Sequence, residues 1–527
     1  MDTQPINLSM PPSEESILSS DAIILLNPRD QVALAMTNLQ SGMELVNHQG
    51  QVVLTVQQFI ASGHKIALQD IDVSALVYRY GQVIGIATQP IRAGEHVHTH
   101  NLALPPVQLG AGKEAGQQPT TISLRGERQF IGYTRSDGRV GTRNYIAVIS
   151  TVNCSATVCE KIAHHFSAER LQPYANVDGV IALTHTSGCS IRIGGPEYVW
   201  LQRTLAGMAR HPNVGAYLLV GLGCEVNQIT DLLKTYGLAD HDVPAHSLSI
   251  QELGGIRKTV EAGIAAVESV LPVVDSARRT PQPLSGLTLA LQCGGSDGWS
   301  GVTANPLVGL VADEVVQQGG TVVLAETPEI YGAEHLLTRR AASDEVAQKL
   351  LDRVQWWKEH TQRFGTEIDN NPTPGNKAGG LTNIVEKSLG AVAKGGSTPL
   401  TGVYEYAEPV TERGLTFMDT PGNDPISVTG QVAGGSNLVL FTTGRGSVFG
   451  FKPSPSIKIA TSTALYEHML DDMDFGAGRV LEGASPIELA EALLDLVIAV
   501  ASGTPSKSEA QGVGEREFSP WYYGDVV

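Results

Sequence analysis

Beyond residue 130 the sequence repeats one unit, a short apolar strand followed by a glycine-rich turn and a helix. The clearest examples are "NYIAVIS" before "TVNCSATVCEKIAHHF", "DGVIAL" before "THTSGCS", "AYLLVGLGCE", "LTLALQCGGSDG", "TVVLAETPE", "LVLFTTGRG" and "SIKIAT". Strands that alternate with helices favour parallel sheets covered by helices. A proline-containing spacer near residues 272–284 interrupts the pattern, so we predict one α/β domain at 130–275 and a second at 285–527.

The part of the chain before this pattern has a different character. Residues 22–104 contain short apolar runs broken by Gly, Asp and Asn, which is typical of an all-β unit. Residues 105–129 are rich in Gly, Pro, Gln and Thr without periodicity, so we predict a flexible linker there. Residues 1–21 are predicted to be a flexible tail. At 55.9 kDa the chain is too long for one core, which agrees with several domains.

Charge and cysteine usage restrict the partners and the compartment. The net charge of −18 argues against nucleic acid and against an anionic membrane surface as partners. No apolar run approaches the ~20 residues that cross a bilayer, and the N-terminus lacks the features of a signal peptide. The cysteines are odd in number and far apart, which predicts reduced thiols in the cytoplasm.

Unusual side chains follow the predicted parallel strands, where ligands bind in open α/β sheets. Four of the five cysteines occupy such positions, and so do Glu326, Glu329 and Arg445; the cysteines are Cys154, Cys189, Cys224 and Cys293. Thiolate and imidazole ligands suit iron or zinc, and His185 lies four residues before Cys189 in a glycine-containing turn. A single cysteine in such a place is more often core filler, so both interpretations stay open.

Basic residues in two loops are suited to an acidic substrate. The segment "GYTRSDGRVGTRN" places Arg135, Arg139 and Arg143 close together, and arginine binds carboxylates in a bidentate manner. The alternative is a solvated turn in which they pair with Asp137 and nearby acids. Lys377, in the glycine-rich loop "PTPGNKAGG", is a possible base or carboxylate anchor, although most loop lysines are merely solvated.

Three histidines alternate in "AGEHVHTHNL", at positions 96, 98 and 100, in a chain with 14 histidines in total. In a strand these side chains share one face. They are suited to hold a metal, to contact an anionic ligand or to line a solvated edge.

Taken together, the motifs resemble those of the altronate and galactarate dehydratase family of sugar-acid lyases. The motifs that carry the resemblance are "GHKIALQDI", "YRYGQVIG", "GYTRSDGRVGTRN", "TVNCSATV", "HTSGCS", "GLGCEVNQ", "LQCGGSDGWSGVTANP", "PTPGNKAGGLTNIVEKSLG" and "FTTGRGS". They cover nearly the whole chain. "GEHVHTHN", "PEIYGAEHLL" and "PGND" are more similar to the altronate branch.

The resemblance implies a β-clip (SAF-like) N-terminal domain, a Rossmann-like C-terminal domain and a requirement for Fe²⁺ or Mn²⁺. It also implies dehydration of D-altronate to 2-dehydro-3-deoxy-D-gluconate, with galactarate dehydratase, a sulfolactate sulfo-lyase and a sugar-acid-binding regulator as alternatives. We expect a homodimer that binds a small-molecule sugar acid and neither nucleic acid nor a membrane. Whether the metal is a single ion or an iron–sulfur cluster stays open.

Dehydration of a dihydroxy acid needs a base, positive charge on the enediolate and an acid for the departing hydroxide. We predict that the catalytic residues are His64, Lys377, His96 and His98. The substrate is predicted to bind Arg139, Arg143, Asn376 and Arg445. The predicted metal ligands are His185, Cys189, Cys293, Glu326 and Cys154.

The linker permits the β-rich domain to fold over the larger part of the chain. We therefore predict that His64, His96 and His98 contact substrate or complete the metal shell, while the main metal ligands lie beyond the linker. The rival hypothesis makes the three alternating histidines themselves the metal site.

Overall fold

The computed structural model describes residues 16–107, 109, 126–238, 243–522 and 524. Within them the chain forms a β-rich N-terminal domain (16–107), an α/β second domain (126–283) and a larger α/β C-terminal domain (284–524). This confirms the predicted fold class. Most of the predicted linker, residues 108 and 110–125, lies outside the described residues.

The N-terminal domain consists of short strands in three small sheets, ordered β1-β4-β5, β2-β3-β6-β9 and β7-β8-β10. Its elements are β1 Ser16–Leu18, α1 Ser19–Ala22, β2 Ile23–Ile24, β3 Val32–Ala35, β4 Glu44–Val46, β5 Val52–Thr55, β6 Lys65–Ala67, β7 Leu76–Arg79, β8 Gln82–Ala87, β9 His96–Val97 and β10 Leu102–Ala103. The predicted tail is wrong for residues 16–21, because β1 pairs in parallel with β4. Residues 1–15 lie outside the described part.

The second domain has a parallel four-stranded sheet, β14-β13-β15-β16, and a three-stranded sheet, β12-β11-β17. Its strands are β11 Gln129–Thr134, β12 Val140–Gly141, β13 Tyr145–Ser150, β14 Gly179–Leu183, β15 Val214–Gly221, β16 Ala245–Ser249 and β17 Arg279–Pro283. Its helices are α2 Ala156–His165, α3 Ala168–Leu171, α4 Pro196–Ala209, α5 Ile229–Tyr236, α6 Ile250–Leu253 and α7 Ile256–Asp275. The spacer predicted near 272–284 is instead the end of α7 followed by β17, which pairs with β11.

The C-terminal domain is built on a parallel seven-stranded sheet, β20-β21-β19-β18-β22-β23-β24. The strands are β18 Thr288–Cys293, β19 Thr321–Leu324, β20 Leu400–Tyr404, β21 Gly414–Met418, β22 Leu438–Thr443, β23 Ser456–Ala460 and β24 Phe475–Gly476. The helices are α8 Ala304–Gln317, α9 His335–Thr338, α10 Asp344–Arg363, α11 Pro374–Ala378, α12 Ile384–Ala391, α13 Asp424–Ala433, α14 Thr463–His468, α15 Pro486–Ala501 and α16 Lys507–Ala510.

Sequence signals explain several of these elements. The central strands are apolar throughout because helices cover both faces of the sheet, and every residue of β22 is buried. Helix α15 begins as expected for Ser485 at the N-cap and Pro486 at N1, since the Ser485 hydroxyl accepts the Glu488 N–H. No helix among the described residues has the length and apolarity needed to cross a membrane.

The carboxyl ends of β19, β18 and β22 lie side by side at one edge of the large sheet. They carry Glu326, Cys293 and Arg445, as the sequence predicts for ligand-binding positions. The N-terminal domain lies against this edge, because His64 and Lys65 contact the 378–380 segment.

Candidate active site

Three imidazoles of the N-terminal domain form a cluster. His64 directly precedes β6, which pairs antiparallel with β9 and places Ile66 opposite His96. The ring centroids of His64, His96 and His98 are 5.1–5.2 Å apart. One nitrogen of each ring lies within 4.8 Å of the others. The structure thus brings together the three histidines that we predicted to act together.

The histidine row is not the extended strand that the alternation predicts. β9 ends at Val97, and a turn follows in which the Asn101 side chain accepts the His98 N–H at 2.9 Å. The ring of the exposed His100 is tilted by 44° against that of His96, with centroids 5.4 Å apart, but is not part of the group of three. His64 therefore takes the place that the rival hypothesis gave to His100.

Burial keeps these imidazoles neutral at physiological pH. Desolvation, followed by the neighbouring His64, lowers the pKa of His96 to about 3. Desolvation and the charge of Lys65 lower the pKa of His98 to about 4, and burial also lowers that of His64. A neutral imidazole offers a lone pair, which a metal ligand requires.

The hydrogen bonds of the cluster fit a divalent metal. His64 Nε2 lies 3.2 Å from the Ala378 carbonyl oxygen, which can only accept, so Nε2 carries the proton and Nδ1 has a lone pair. Metal-bound histidines usually donate their other N–H to such a carbonyl. His64 Nδ1 faces His96 Nε2 at 3.0 Å, the spacing of two nitrogens at right angles on a metal when each bond is about 2.1 Å.

His98 supplies the third observation. Its Nδ1 is buried and has no hydrogen-bond partner in the part of the chain that the structure describes. A buried nitrogen without a partner is costly, and a metal or a substrate hydroxyl would satisfy it. The cluster therefore has the donor set for Fe²⁺ or Mn²⁺.

A buried charge cluster docks the histidines onto the C-terminal domain. Lys65 Nζ lies 2.8 Å from Glu386 Oε1, and Arg79 Nη1 pairs with the same carboxylate. Lys65 also donates to the Gly380 carbonyl at 2.6 Å, and Arg79 donates to that of Gly298 at 2.8 Å. Although burial opposes ionisation, Lys65 and Arg79 lower the pKa of Glu386 to about 2. The N-terminal domain is thus tied to both loops beside the sheet edge.

A cavity of about 280 Å³ opens at the carboxyl edge of the large sheet. Its polar wall includes Cys293, Glu329, Asn376, Lys387 and Asp424. Lys387 Nζ donates to Glu329 Oε1 at 2.7 Å and to the Asn371 side chain at 2.8 Å.

Lys394 and Glu326 extend this polar wall inward. Lys394 Nζ lies 2.7 Å from Cys293 Sγ and 2.8 Å from Glu326 Oε2. The Gln292 amide donates both to Glu326, at 2.7 Å, and to Asp424, at 2.8 Å. The residues form one network of acids, amides and ammonium groups.

Burial and neighbouring charges shift the pKa values of the groups in this network. Desolvation raises the pKa of Asp424 to about 7, so this carboxyl group changes charge near neutral pH. Desolvation and the charge of Glu329 raise the pKa of Glu326 to about 8. Burial also raises the pKa of the Cys293 thiol. Burial by itself lowers the pKa values of Lys387 and Lys394, but their acidic neighbours have the larger effect and raise both pKa values. Both lysines are therefore ammonium groups.

The predicted metal ligands Cys293 and Glu326 do lie together, and with Glu329 they form a second group of three close donors. However, Lys394 already contacts Cys293 and Glu326, and Lys387 contacts Glu329. A protonated thiol and carboxylates neutralised by ammonium groups suit proton transfer better than metal binding.

Arg445 lies between the histidine cluster and the cavity. A Cβ on Gly295, which lines the cavity, would be 3.3 Å from Arg445 Cβ, and one on Gly379 would be 3.1 Å from its Cδ. Its charge also acts on His64. Its side chain is exposed and makes no hydrogen bond or ion pair with the described residues. A free guanidinium here can bind a substrate carboxylate.

Asn376 and Lys377 lie on α11, beside the cavity. Asn376 lines the cavity, but its amide caps α11 through Thr373 and donates to the Ser296 carbonyl at 2.8 Å. It therefore shapes the wall and has little capacity left for a substrate. Lys377 is half-buried on the same turn, and its charge acts on Asp369. It does not line the cavity.

The structure does not bring Arg139 and Arg143 to this site. Arg143 is buried and forms a bidentate ion pair with Glu509 at 2.7–2.8 Å, so its guanidinium is already engaged. Arg139 pairs with Asp137 at 2.7 Å and lines a different cleft of about 570 Å³, together with Arg203 and Arg210. The prediction for Arg143 is wrong, because its guanidinium is buried against Glu509, whereas Arg139, which pairs with Asp137, fits the alternative interpretation.

His185, Cys154 and Cys189 lie on the second domain, apart from Cys293 and Glu326. The prediction of one site from all five is therefore wrong. His185 cannot ligate a metal as it stands, because Nδ1 accepts the Ser187 N–H and Nε2 donates to the Ser150 carbonyl. Both cysteines are exposed.

Sequence reasoning missed Lys387, Lys394 and Asp424. A signal for Lys387 was present, because "NIVEKSLGA" is an apolar helix with two adjacent charges, and every residue of α12 is buried. Charges in such a helix need buried partners. Lys394 follows in "AKGGST", and Asp424 in "PGND" is the first residue of α13.

A small β domain is docked on the carboxyl edge of a parallel sheet, and its histidine cluster faces an acid–base cavity. This arrangement is that of an α/β enzyme with an N-terminal accessory domain. Comparison with known families agrees. The altronate/galactarate dehydratase SAF domain matches residues 21–105. The D-galactarate dehydratase/altronate hydrolase second domain matches 132–275, and the D-galactarate/altronate dehydratase C-terminal domain matches 284–526.

Curated relatives match over nearly full length. The chain is 37% identical over 486 residues to altronate dehydratase of Bacillus subtilis, covering 92% of this chain and 95% of that protein. It is 37% identical over 489 residues to altronate dehydratase of Escherichia coli, covering 92% and 96%. It is also 37% identical over 494 residues to galactarate dehydratase (L-threo-forming) of Escherichia coli, covering 92% of each. The chain belongs to the D-galactarate/altronate dehydratase family.

Proposed function

We propose that the protein is a hydro-lyase that converts D-altronate to 2-dehydro-3-deoxy-D-gluconate and water. The observation that carries the proposal is the position of the unpaired Arg445 between a neutral histidine cluster and a cavity that contains a carboxyl group titrating near pH 7. The full-length similarity to two altronate dehydratases supports this reaction.

We further propose that His64, His96 and His98 hold Fe²⁺ or Mn²⁺. When bound, the metal supplies Lewis-acid charge to oxygens of the substrate. The neutral rings, the hydrogen bond from His64 Nε2 to the Ala378 carbonyl and the unpartnered Nδ1 of His98 support this assignment. The sequence predicted main metal ligands beyond the linker, whereas in this assignment the three histidines are the main ligands.

The remaining steps are assigned to groups of this chain. Arg445 binds the substrate carboxylate. Asp424, when ionised, removes the proton beside that carboxylate, since its pKa of about 7 matches a general base at physiological pH, and then returns this proton to the departing hydroxide, which leaves as water. The Lys387 ammonium group at the cavity wall stabilises the negative charge that develops on the enediolate. The docked N-terminal domain limits the access of water to the reacting atoms.

Galactarate is the second candidate substrate, because the galactarate dehydratase is equally similar in identity. One observation favours altronate. In the described part of the cavity wall the cation is Lys387, which is paired with Glu329, whereas the unpaired Arg445 lies between this wall and the histidine cluster. A single free arginine matches a substrate with one carboxylate, whereas galactarate carries two.

The test is turnover of a panel of sugar acids by the reduced protein supplied with Fe²⁺ under anaerobic conditions. We expect D-altronate to have the highest kcat/KM and galactarate to be poor. Turnover of galactarate alone would overturn the choice of substrate, and binding without turnover of any acid would favour a regulator. Full activity after chelation, with metal content near zero, would contradict the metal assignment.

We also propose a cytoplasmic location, which the free cysteines support, because reduced thiols persist there. The homodimer stays a prediction that sedimentation equilibrium can test.

A further inference from the structure

Three of the four cysteines on the second domain follow strands of its parallel sheet. Cys154, Cys189 and Cys224 each follow one of three adjacent parallel strands, β13, β14 and β15. All three are exposed. We propose that these cysteines ligate an iron–sulfur cluster, in addition to the metal of the proposed dehydratase site.

Hydrogen bonds tie the three cysteine loops to one another. The Asn153 N–H donates to the Ser187 carbonyl at 2.9 Å, which joins the first loop to the second. The Asn227 N–H donates to the Gly188 carbonyl at 3.1 Å, and its side-chain amide donates to the Thr151 carbonyl at 2.9 Å. The third loop is thus fixed to both others, so the cysteines belong to one preformed surface.

Glycine is required where two of these loops meet. Gly188, next to Cys189, has a φ of +100°, which favours glycine. A Cβ at this position would lie 2.4 Å from the Thr151 carbonyl oxygen, closer than real contacts allow. Glycine at position 188 therefore allows the backbone next to Cys189 to lie against the loop that carries Cys154.

The thiols have the environment of ligands. Free cysteine is normally one of the most buried residues, and Cys159 in the same domain is fully buried. Cys154 instead lies exposed in the turn that leads into α2. The Gln251 amide lies 3.3 Å from Cys224 Sγ and donates to it. Hydrogen bonds to sulfur are a regular feature of cluster sites.

The spacing favours a cluster over a single ion. Four sulfurs around one zinc ion, with bonds of about 2.3 Å, lie about 3.8 Å apart. Among the described residues these three sulfurs do not all lie within 4.8 Å of one another. β14 and β15 flank β13, so their ends are about 10 Å apart across two strand spacings. A cluster suits this separation of the strand ends better than one ion, because its thiolates bind different irons and lie farther apart, with the side chains reaching inward. Cysteine-only ligation selects zinc or iron–sulfur centres, and the wider spacing favours the cluster.

The test is anaerobic reconstitution of the full chain with ferrous iron and sulfide, followed by assay of acid-labile sulfide and by electron paramagnetic resonance of the dithionite-reduced protein. Sulfide is the decisive readout, because iron alone also binds the proposed histidine site. We expect about four sulfides per chain, as for a [4Fe–4S] cluster. Cys154→Ser, Cys189→Ser and Cys224→Ser should each reduce this content at least five-fold and abolish the resonance signal.

Two variants serve as controls. Cys159→Ser removes a buried thiol of the same domain and should retain the cluster. His98→Ala removes the proposed iron site and should also retain sulfide, so failure of the proposed function and failure of this site are distinguishable. Equal sulfide in wild type and all three exposed-cysteine variants, or reconstituted protein with iron but no sulfide, would overturn the proposal. Circular dichroism confirms that each variant is folded.

Discussion

Lys65 of the N-terminal domain and Glu386 of the C-terminal domain form an ion pair in which both side chains have no exposed surface. The nitrogen and oxygen are 2.8 Å apart, and Arg79 shares the carboxylate. Because Lys65 directly follows His64, this pair fixes the position of the histidine cluster over the sheet edge.

Replacement of Lys65 by methionine should therefore destabilise the protein. The change leaves a buried carboxylate with one partner fewer, and the loss of one member of such a pair typically costs about 3–5 kcal/mol. Urea denaturation should show a lower midpoint together with reduced turnover. Lys349→Met is the matched control, because its pair with Glu345 is exposed and contributes little. Equal midpoints for the two variants would contradict the role of Lys65 in docking.

The same cluster predicts sensitivity to acid. The pKa of Glu386 is about 2 in the folded protein and 4.5 ordinarily, so its ionised form stabilises the fold. That contribution is complete above pH 4.5 and is lost as the pH falls toward 2. Glu386→Gln should flatten the decline in unfolding free energy over this interval, measured by denaturant titration at several pH values. An unchanged pH dependence would show that other carboxylates determine acid stability.

The histidine cluster predicts where iron binds. His98→Ala should lower iron occupancy at least ten-fold and reduce turnover in parallel, because it removes one of three nitrogen donors. His100→Ala should leave both unchanged, since that exposed ring is outside the group. Iron by mass spectrometry, after subtraction of cluster iron determined from acid-labile sulfide, and turnover must be measured on the same preparation. If iron is retained but turnover is lost, we would infer that His98 contacts the substrate and does not bind the metal.

The sequence predicts much of this fold because its signals are local. Alternating apolar runs and turns indicate the two parallel sheets, and side chains at strand ends indicate Cys293, Glu326 and Arg445 as members of one edge. Local signals do not reveal which of several strand ends meet. Cys154 and Cys189 have the same pattern as Cys293, yet they end a different sheet.

The histidine cluster shows the same limit. Alternation at residues 96, 98 and 100 suggests a strand, but the Asn101 side chain closes a turn after Val97. His64 joins the cluster through pairing of β6 with β9, a long-range contact. The sequence did not reveal Lys387 and Lys394 as buried residues, because the acidic partners that stabilise their buried charges come from distant segments of the chain.

The cavity predicts a pH dependence of catalysis. Burial raises the pKa of Asp424 to about 7, and a general base acts only when ionised, so kcat/KM should rise with pH through about 7. Asp424→Asn should lower kcat/KM by about 10²–10⁴-fold and remove this limb of the profile. Asp474→Asn changes a half-buried carboxyl group whose pKa is also raised by desolvation but which lies outside the cavity, and should retain the limb. A limb near pH 7 that persists in Asp424→Asn would assign the base to another group.

Arg445 is predicted to bind the substrate carboxylate. Replacement by glutamine removes the charge and the bidentate donors but retains much of the side-chain volume, so KM for altronate should rise at least ten-fold. Because Arg445 makes no ion pair with the described residues, the melting temperature should be almost unchanged. Arg139→Gln, in the separate cleft between the second and C-terminal domains, should leave KM as in the wild type. Steady-state kinetics on the iron-loaded proteins measures both effects. An increase in KM for Arg139→Gln with none for Arg445→Gln would indicate that the substrate binds in the larger cleft.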